Sequence, residues 1–385
     1  MSRLTITDRR ERALVAAADA TLSVAALARV GRRRPSAPHR LVCLRLERIG
    51  DLLMTLPAIA DLKAAFPDAS IDLVVGSWNR DIAGAIPGVT GVETLDASWL
   101  NRDGNGSGLA GLLRDASRWR PRRYDIAINF EPDIRGNLMM AAIGAAWTAG
   151  FTSGGGGPLL DTALEYDTTI HTTDNLRALV HAITGEATDH AESALTIPGG
   201  DQEEAARLLA RLGGARRIGI HVNGGRAIKQ WPESRFREIA RRLVHDRGAA
   251  IVLTGTPGDR GLIDGVLAAL PPDRALDLSG ERSLLTVAAV LERLDLFVTG
   301  DTGPMHLARA VGTPIVAIFG PSQPWRYGPR GVRDRVVRID LPCSPCNRIR
   351  VPPARCTGHT PDCLAGVDVA SVMAAIDDVL GGGTE

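Results

Sequence analysis

The chain predicts an α/β architecture of two Rossmann-like, doubly wound domains facing an interdomain cleft, and three observations carry that prediction. Strand-length apolar runs alternate with helix-like segments from about Leu41 to the C terminus, the order a parallel sheet covered by helices requires. At 385 residues the chain exceeds what one core usually organises. The alternation pauses over the polar, Gly-containing stretch Thr184–Asp201 and then restarts. A hydrophobic content of 44% with 4% aromatics fits an Ala/Leu/Val-rich α/β protein and excludes a disordered one.

In the first half the predicted strands are Leu41–Leu46, Ile71–Val75, Val92–Leu95 and Asp125–Asn129, with helices at Leu52–Phe66, Leu109–Arg118, Ile134–Ile143 and Asp174–Ile183. In the second, strands Arg217–Val222, Ala250–Thr254, Ala275–Leu278, Leu296–Val298 and Ile315–Phe319 alternate with helices Gln202–Leu212, Glu233–His245, Arg260–Leu270 and Leu284–Leu291. A final helix is expected over Val369–Leu380. The expected domains are a basic extension over 1–40, units over 41–190 and 191–341, and a Cys-containing tail over 342–385. Neither first strand is followed by Gly-x-Gly-x-x-Gly, which argues against an ordinary nicotinamide enzyme.

The net charge of +1 hides an asymmetry. Met1 to Arg48 holds eleven Arg against four acids, a net +7, so the rest of the chain carries −6. A basic arm suits an anionic membrane surface, and it also suits a solvated tail. The segment Ala13–Val30 is the nearest approach to a membrane span, but Asp19 and Arg29 interrupt it and no signal-peptide cleavage site follows. Leu14, Val15, Ala18, Leu22 and Ala25 share helical spacing, with Val24 and Leu27 off that face. That pattern fits a surface helix at a membrane and equally a helix packed on the body.

The most informative stretch is Leu296–Pro321, where a strand ends in Gly300-Asp301-Thr302-Gly303 and a helix starts at Pro304, followed by Met305 and His306. Such a junction points backbone N–H groups and a helix dipole at one spot, which suits a phosphate. Asp301 is an odd residue to aim at an anion, so it and Thr302 read equally as helix caps, while His306 can contact a sugar or phosphate.

Three blocks together resemble glycosyltransferase family 9, the ADP-heptose:lipopolysaccharide heptosyltransferases. They are Arg45-Leu-Glu-Arg-Ile-Gly-Asp-Leu-Leu-Met-Thr-Leu-Pro-Ala58, Lys229-Gln-Trp-Pro-Glu233 and Gly300-Asp-Thr-Gly-Pro-Met-His306. The resemblance implies a GT-B fold, with acceptor on the N-terminal domain and nucleotide sugar on the C-terminal one. It also implies a last helix that often crosses back to the first domain.

Asp51, just past the first strand and behind Gly50, matches the family's proposed general base, the group that takes a proton from the attacking acceptor hydroxyl. Capping of the following helix is the plainer role for it. Lys229 matches the family's diphosphate-binding lysine. It is one of only two lysines, with Lys63, among 45 basic residues, and an ammonium is a point charge suited to phosphate. The loop before it, Asn223-Gly224-Gly225-Arg226, lacks the hydroxyl residues many members carry there, so any phosphate contact falls to the glycine N–H groups. Thr254, Gly255 and Asp259 are expected beside the ribose and base, with Glu281 and Ser283 nearby. Arg45, Arg48, Gly50 and Arg135 are candidates for an anionic acceptor, against a plain ion-pair reading for each arginine.

The absence of an Asp-x-Asp motif fits catalysis without a metal. Cys343, Cys346, Cys356 and Cys363 are spaced to bind a structural zinc or to remain free thiols in a reducing cytosol, with the second pair wider than in zinc knuckles. The expected protein is therefore an inverting, metal-independent glycosyltransferase moving heptose or a related sugar from ADP-heptose to a lipid-linked or glycan acceptor. It would work in the cytoplasm, with peripheral membrane contact and no nucleic-acid partner. A nucleotide-sugar-binding protein without transfer and a GT-B nucleotide-sugar epimerase are the rivals.

Overall fold

The structure is a computed structural model describing residues 4–6, 8–29, 31–101, 104–185, 194–280 and 282–381. It divides into two compact units, Met1–Ser193 and Ala194–Glu385. Glu281 and positions 186–193 of the expected linker lie outside the described residues.

Unit one runs α1 (Arg9–Ala26), β1 (Arg40–Arg45), α2 (Ile49–Leu53), α3 (Leu56–Ala65), β2 (Ser70–Val75), α4 (Arg80–Gly84), β3 (Gly91–Thr94), α5 (Leu109–Ser117), β4 (Ile126–Asn129), α6 (Ile134–Ile143), β5 (Trp147–Phe151), β6 (Thr162–Leu164) and α7 (Thr172–Thr184). Its six strands are parallel in the order β3-β2-β1-β4-β5-β6. β4, fully buried, and β1, buried from Leu41 onward, with register Leu41↔Ile126 to Leu44↔Asn129, form its centre, as expected for strands covered on both faces. Val42, Leu44, Met139, Met140 and Ile143 pack on one side of that sheet.

Unit two runs α8 (Gly199–Ala210), β7 (Arg217–His221), α9 (Glu233–Arg247), β8 (Ala250–Thr254), α10 (Arg260–Leu267), β9 (Ala275–Asp277), α11 (Leu284–Leu291), β10 (Leu296–Gly300), α12 (Gly303–Ala310), β11 (Ile315–Ile318), α13 (Pro324–Tyr327), β12 (Arg335–Val337), α14 (Asp362–Ala365) and α15 (Val369–Gly381). Its sheet is again all parallel, in the order β12-β11-β10-β7-β8-β9. Counted within each unit, both orders are 3-2-1-4-5-6, so each sheet reverses direction of growth between its first and fourth strands. Crevices for ligands form at that reversal, beyond the strands' C-terminal ends.

Three expectations change. The predicted helix Leu52–Phe66 breaks in two: the Thr55 hydroxyl bonds the Leu52 carbonyl, and Pro57, which has no N–H, starts α3 instead of continuing α2. Strands β5, β6 and β12 were not anticipated, because Trp147-Thr-Ala-Gly-Phe151 lacks alternation and the other two are three residues long. The last helix, expected to cross to the first domain, buries Val372, Met373, Ile376 and Val379 in the core of unit two.

Candidate active site

In unit one the chain leaves β1 at Arg45, turns through Glu47 and Arg48, and enters the short α2 that carries Asp51 in its first turn. Arg45 does not face an acceptor. It is 2% exposed, its Nη1 donates to the Phe130 carbonyl at 2.6 Å, and its Nε donates to the Asp51 carbonyl at 3.2 Å. It also pairs with Glu47 at 3.2 Å and with the Asp51 carboxylate at 3.6 Å. Burial acts to lower its pKa, but Glu47, Asp51 and Glu131 outweigh that and hold it raised. Arg45 is therefore a positioning residue that ties the Asp51 turn to the end of β4.

Glu131, which sequence reasoning missed, sits just past β4 and accepts the backbone N–H groups of Leu46 and Glu47. Burial pushes its pKa up, while Arg45 and those two N–H bonds pull against the rise. Nothing in the sequence separates this glutamate from a surface one, because only the β1–β4 register brings it under the Asp51 turn. The Asp51 side chain stays 31% exposed and makes no capping bond recorded for the α2 N-terminus, which Arg48 occupies. Gly50 is buried and Arg48 exposed. Arg135 is engaged elsewhere: its Nε bonds Asp133 at 2.9 Å, and its guanidinium lies 4.3 Å from the Trp99 ring centre. For Arg45 and Arg135 the ion-pair reading prevails, and Arg48 is the most exposed of the three.

In unit two the loops after β7 and β10 meet. Lys229, in a single 3-10 turn at Ala227–Lys229, reaches across to Asp301. Its Nζ bonds the Asp301 backbone carbonyl and, at 3.0 Å, the Asp301 carboxylate, with both side chains under one-fifth exposed. An ammonium has three N–H groups, so one remains for a ligand oxygen. This contact explains why an acid stands at a phosphate-like junction: Asp301 holds the lysine and does not cap the helix. Thr302, at the N-cap, likewise makes no side-chain cap bond, its hydroxyl lying 3.0 Å from that of Thr299. The first turn of α12, from partly exposed Gly303 through Pro304 and buried Met305 to His306, thus presents its dipole without a side-chain cap from Thr302.

The Asn223–Arg226 loop differs from expectation. The Gly224 N–H donates to Gln230 Oε1 at 2.8 Å and the Gly225 N–H to Asn223 Oδ1 at 2.7 Å, so both donors hold the loop instead of facing outward. A Cβ on Gly224 would stand 2.4 Å from the Lys229 carbonyl, so glycine is required where the loop passes under the lysine. Asp259 is also internal: 5% exposed, it accepts from the Thr256 N–H at 2.7 Å and hydroxyl at 2.9 Å and from the Asn223 amide. The helix-cap reading holds for it, and both carboxylate oxygens are engaged within the protein. Thr254 is buried against His221, whose Nδ1 lies 3.0 Å from the Thr254 carbonyl and whose pKa burial lowers, so it stays a neutral ring. Gly255 is partly exposed at the end of β8, and Ser283 caps α11.

All five cysteines are thiols. Cys343, Cys346, Cys356 and Cys363 line one pocket with Ser344 and Asp362. Burial raises the Cys363 pKa, the Ser344 hydrogen bond lowers it, and Cys346 and Cys356 raise it further. Among the described residues no group of three or more His, Cys, Asp or Glu is placed to hold a metal ion. Among them, too, no helix is long and apolar enough to cross a membrane.

The geometry is therefore that of two sheet-reversal sites, one bearing a carboxylate and the other a lysine beside a helix N-terminus. Comparison with known proteins gives the same picture. The lipopolysaccharide core heptosyltransferase OpsX of Haemophilus influenzae is 22% identical over 79% of this chain and 85% of its own. The Escherichia coli ADP-heptose lipopolysaccharide heptosyltransferase II structure superposes with a TM-score of 0.72 at 21% identity, covering 90% of this chain and all of that one. A glycosyl transferase family 9 structure from Veillonella parvula reaches 0.77 at 24% identity, over 90% and 98%. The fold is the two-domain α/β architecture of GT-B proteins. The family model for glycosyltransferase family 9 (heptosyltransferase) matches residues 114–353, more than half of the sequence, and the chain belongs to that glycosyltransferase family.

Proposed function

We propose that this enzyme transfers heptose or a closely related sugar from ADP-heptose to a lipopolysaccharide-core or similar lipid-linked glycan, with inversion, at the cytoplasmic face of a membrane. The observation that carries the donor half is Lys229, held by Asp301 with one N–H remaining, beside the first turn of α12. The relatives' names supply the sugar and the acceptor class.

In this reading Asp51 takes the proton of the acceptor hydroxyl as that oxygen bonds to the anomeric carbon and the bond from that carbon to the diphosphate oxygen breaks. The departing ADP gains negative charge. Lys229 and the α12 dipole stabilise it, and because both are fixed before the reaction they need little reorganisation. Arg48 and Gly50 border the acceptor, and Gly255 and His306 the nucleotide sugar. No metal enters the chemistry.

The test is nucleoside diphosphate release from ADP-, UDP- and GDP-sugars, with and without a lipopolysaccharide-core acceptor. Acceptor-dependent release from ADP-heptose is expected. Release from a UDP- or GDP-sugar instead would overturn the donor assignment, and no release from any of them would make this chain a passive binder.

A further inference from the structure

We infer that the outward face of α1 docks on an anionic lipid surface. The helix is fixed to unit one at several points. Val15 is 8% exposed and presses on Gly155, the Asp19 carboxylate accepts the Gly156 N–H at 2.6 Å, and the Arg29 Nε bonds Asp161 at 3.1 Å. Val15, Ala18, Asp19, Leu22 and Ala26 recur at helical spacing and are at least partly covered, so of the apolar stripe legible in the sequence Val15, Ala18 and Leu22 are used in packing while Leu14 is not.

The opposite side is what remains. Leu14 and Val24, on a helix that already has its core contact, and Leu27 just past its end are large apolar side chains 73%, 70% and 71% exposed. Between them lie exposed Ala13, Ala17 and Ala20. The charges on this side are all positive. At 100° per residue Arg9 and Arg10 fall on it, while Glu11 and Asp19 fall on the flanks of Val15, Glu11 exposed and Asp19 partly covered. Glu11 is close enough to raise the pKa of Arg135, and Asp8 is occupied with the N–H groups of Arg10 and Glu11.

A face that joins apolar side chains to cations and carries no acid is complementary to anionic headgroups over acyl chains. It is not complementary to itself, since two copies would bring arginines together. The helix thus lies along the surface, with Leu14, Val24 and Leu27 entering the headgroup boundary. The inference rests on α1 alone and is independent of the donor and acceptor assignment.

Co-sedimentation of the full chain with vesicles tests it. Binding is expected to vesicles containing phosphatidylglycerol, little to phosphatidylcholine alone, and less as salt rises. The triple substitution Leu14→Ser, Val24→Ser, Leu27→Ser should weaken binding roughly tenfold or more while leaving thermal unfolding unchanged, because the side chains removed touch water. Arg9→Glu with Arg10→Glu should do the same without altering the apolar surface. Equal binding to neutral vesicles, no binding to anionic ones, or wild-type binding by both variants would refute the inference. So would concentration-dependent self-association that the triple variant abolishes.

Discussion

Replacing Arg45 with Met is expected to destabilise unit one in a pH-dependent manner. The guanidinium is almost wholly buried, and its charge holds down the pKa of buried Glu131, which burial drives up. Its pairs with Glu47 and Asp51 contribute little, because both carboxylates are 31% exposed and water can replace the arginine there. Glu131 cannot be rescued in that way, and losing a nearby opposite charge costs a buried carboxylate about 1–4 kcal/mol. For a unit of this size each kcal/mol moves the melting temperature by about 2–4 °C, so a fall of about 2–16 °C is expected near neutral pH.

The sign follows from the direction of the Glu131 shift. A carboxyl whose folded pKa lies above its unfolded value of about 4.3 contributes stability that is present below that pH and lost as pH rises through the folded pKa. Losing Arg45 raises the folded pKa further, so the gap between variant and wild type should be small near about pH 5 and widen toward about pH 8. Thermal unfolding followed by circular dichroism across that range reads it directly. An equal deficit at both ends would refute the assignment of Arg45 as the counter-charge of Glu131.

Other expectations concern the chemistry. Asp51→Asn should lower kcat by about 10²–10⁴ with donor affinity little changed, measured by steady-state kinetics, and near-normal turnover would remove Asp51 from the mechanism. Lys229→Ala should lower kcat by about 10²-fold or more even at saturating donor, because a charge that stabilises only the departing diphosphate cannot be replaced by more substrate. If saturating donor restores the rate, Lys229 only binds. Asp301→Asn, which keeps the size but removes the charge holding Lys229, should fall between wild type and Lys229→Ala. Protein purified reduced and without chelator should carry no stoichiometric zinc by elemental analysis, and about one zinc per chain would show that the four thiols close on a metal after all.

What could be read from the sequence follows physical range. Both sheets were legible because Leu41–Leu44 and Ala250–Leu253 are continuous apolar runs flanked by helical periodicity, signals confined to a few residues. Asp51, Lys229 and the 300–306 junction stood out for the same reason, since each motif is local. The partners of those residues were not legible. Arg45 looked like an acceptor ligand until the register with β4 placed Phe130 and Glu131 against it. Asp301 looked like a cap until a lysine 72 positions away was found on it. Asp259 and the glycine N–H groups were misjudged because a donor's availability depends on side chains such as Gln230 and Asn223, which no spacing rule assigns.

The repeated strand order has a consequence for how such an enzyme can diversify. Each ligand-facing set is drawn from loops that leave its own sheet: those after β1 and β4 in one unit, those after β7 and β10 in the other. Asp51 is paired with Arg45 of its own unit and Lys229 with Asp301 of its own, so drift in the Glu47–Asp51 turn can retune what is recognised there while the Lys229–Asp301 pair keeps its own support. Selection therefore acts on two nearly separable modules. Chains only one-fifth to one-quarter identical can then keep one fold while the two recognition problems are solved at different rates.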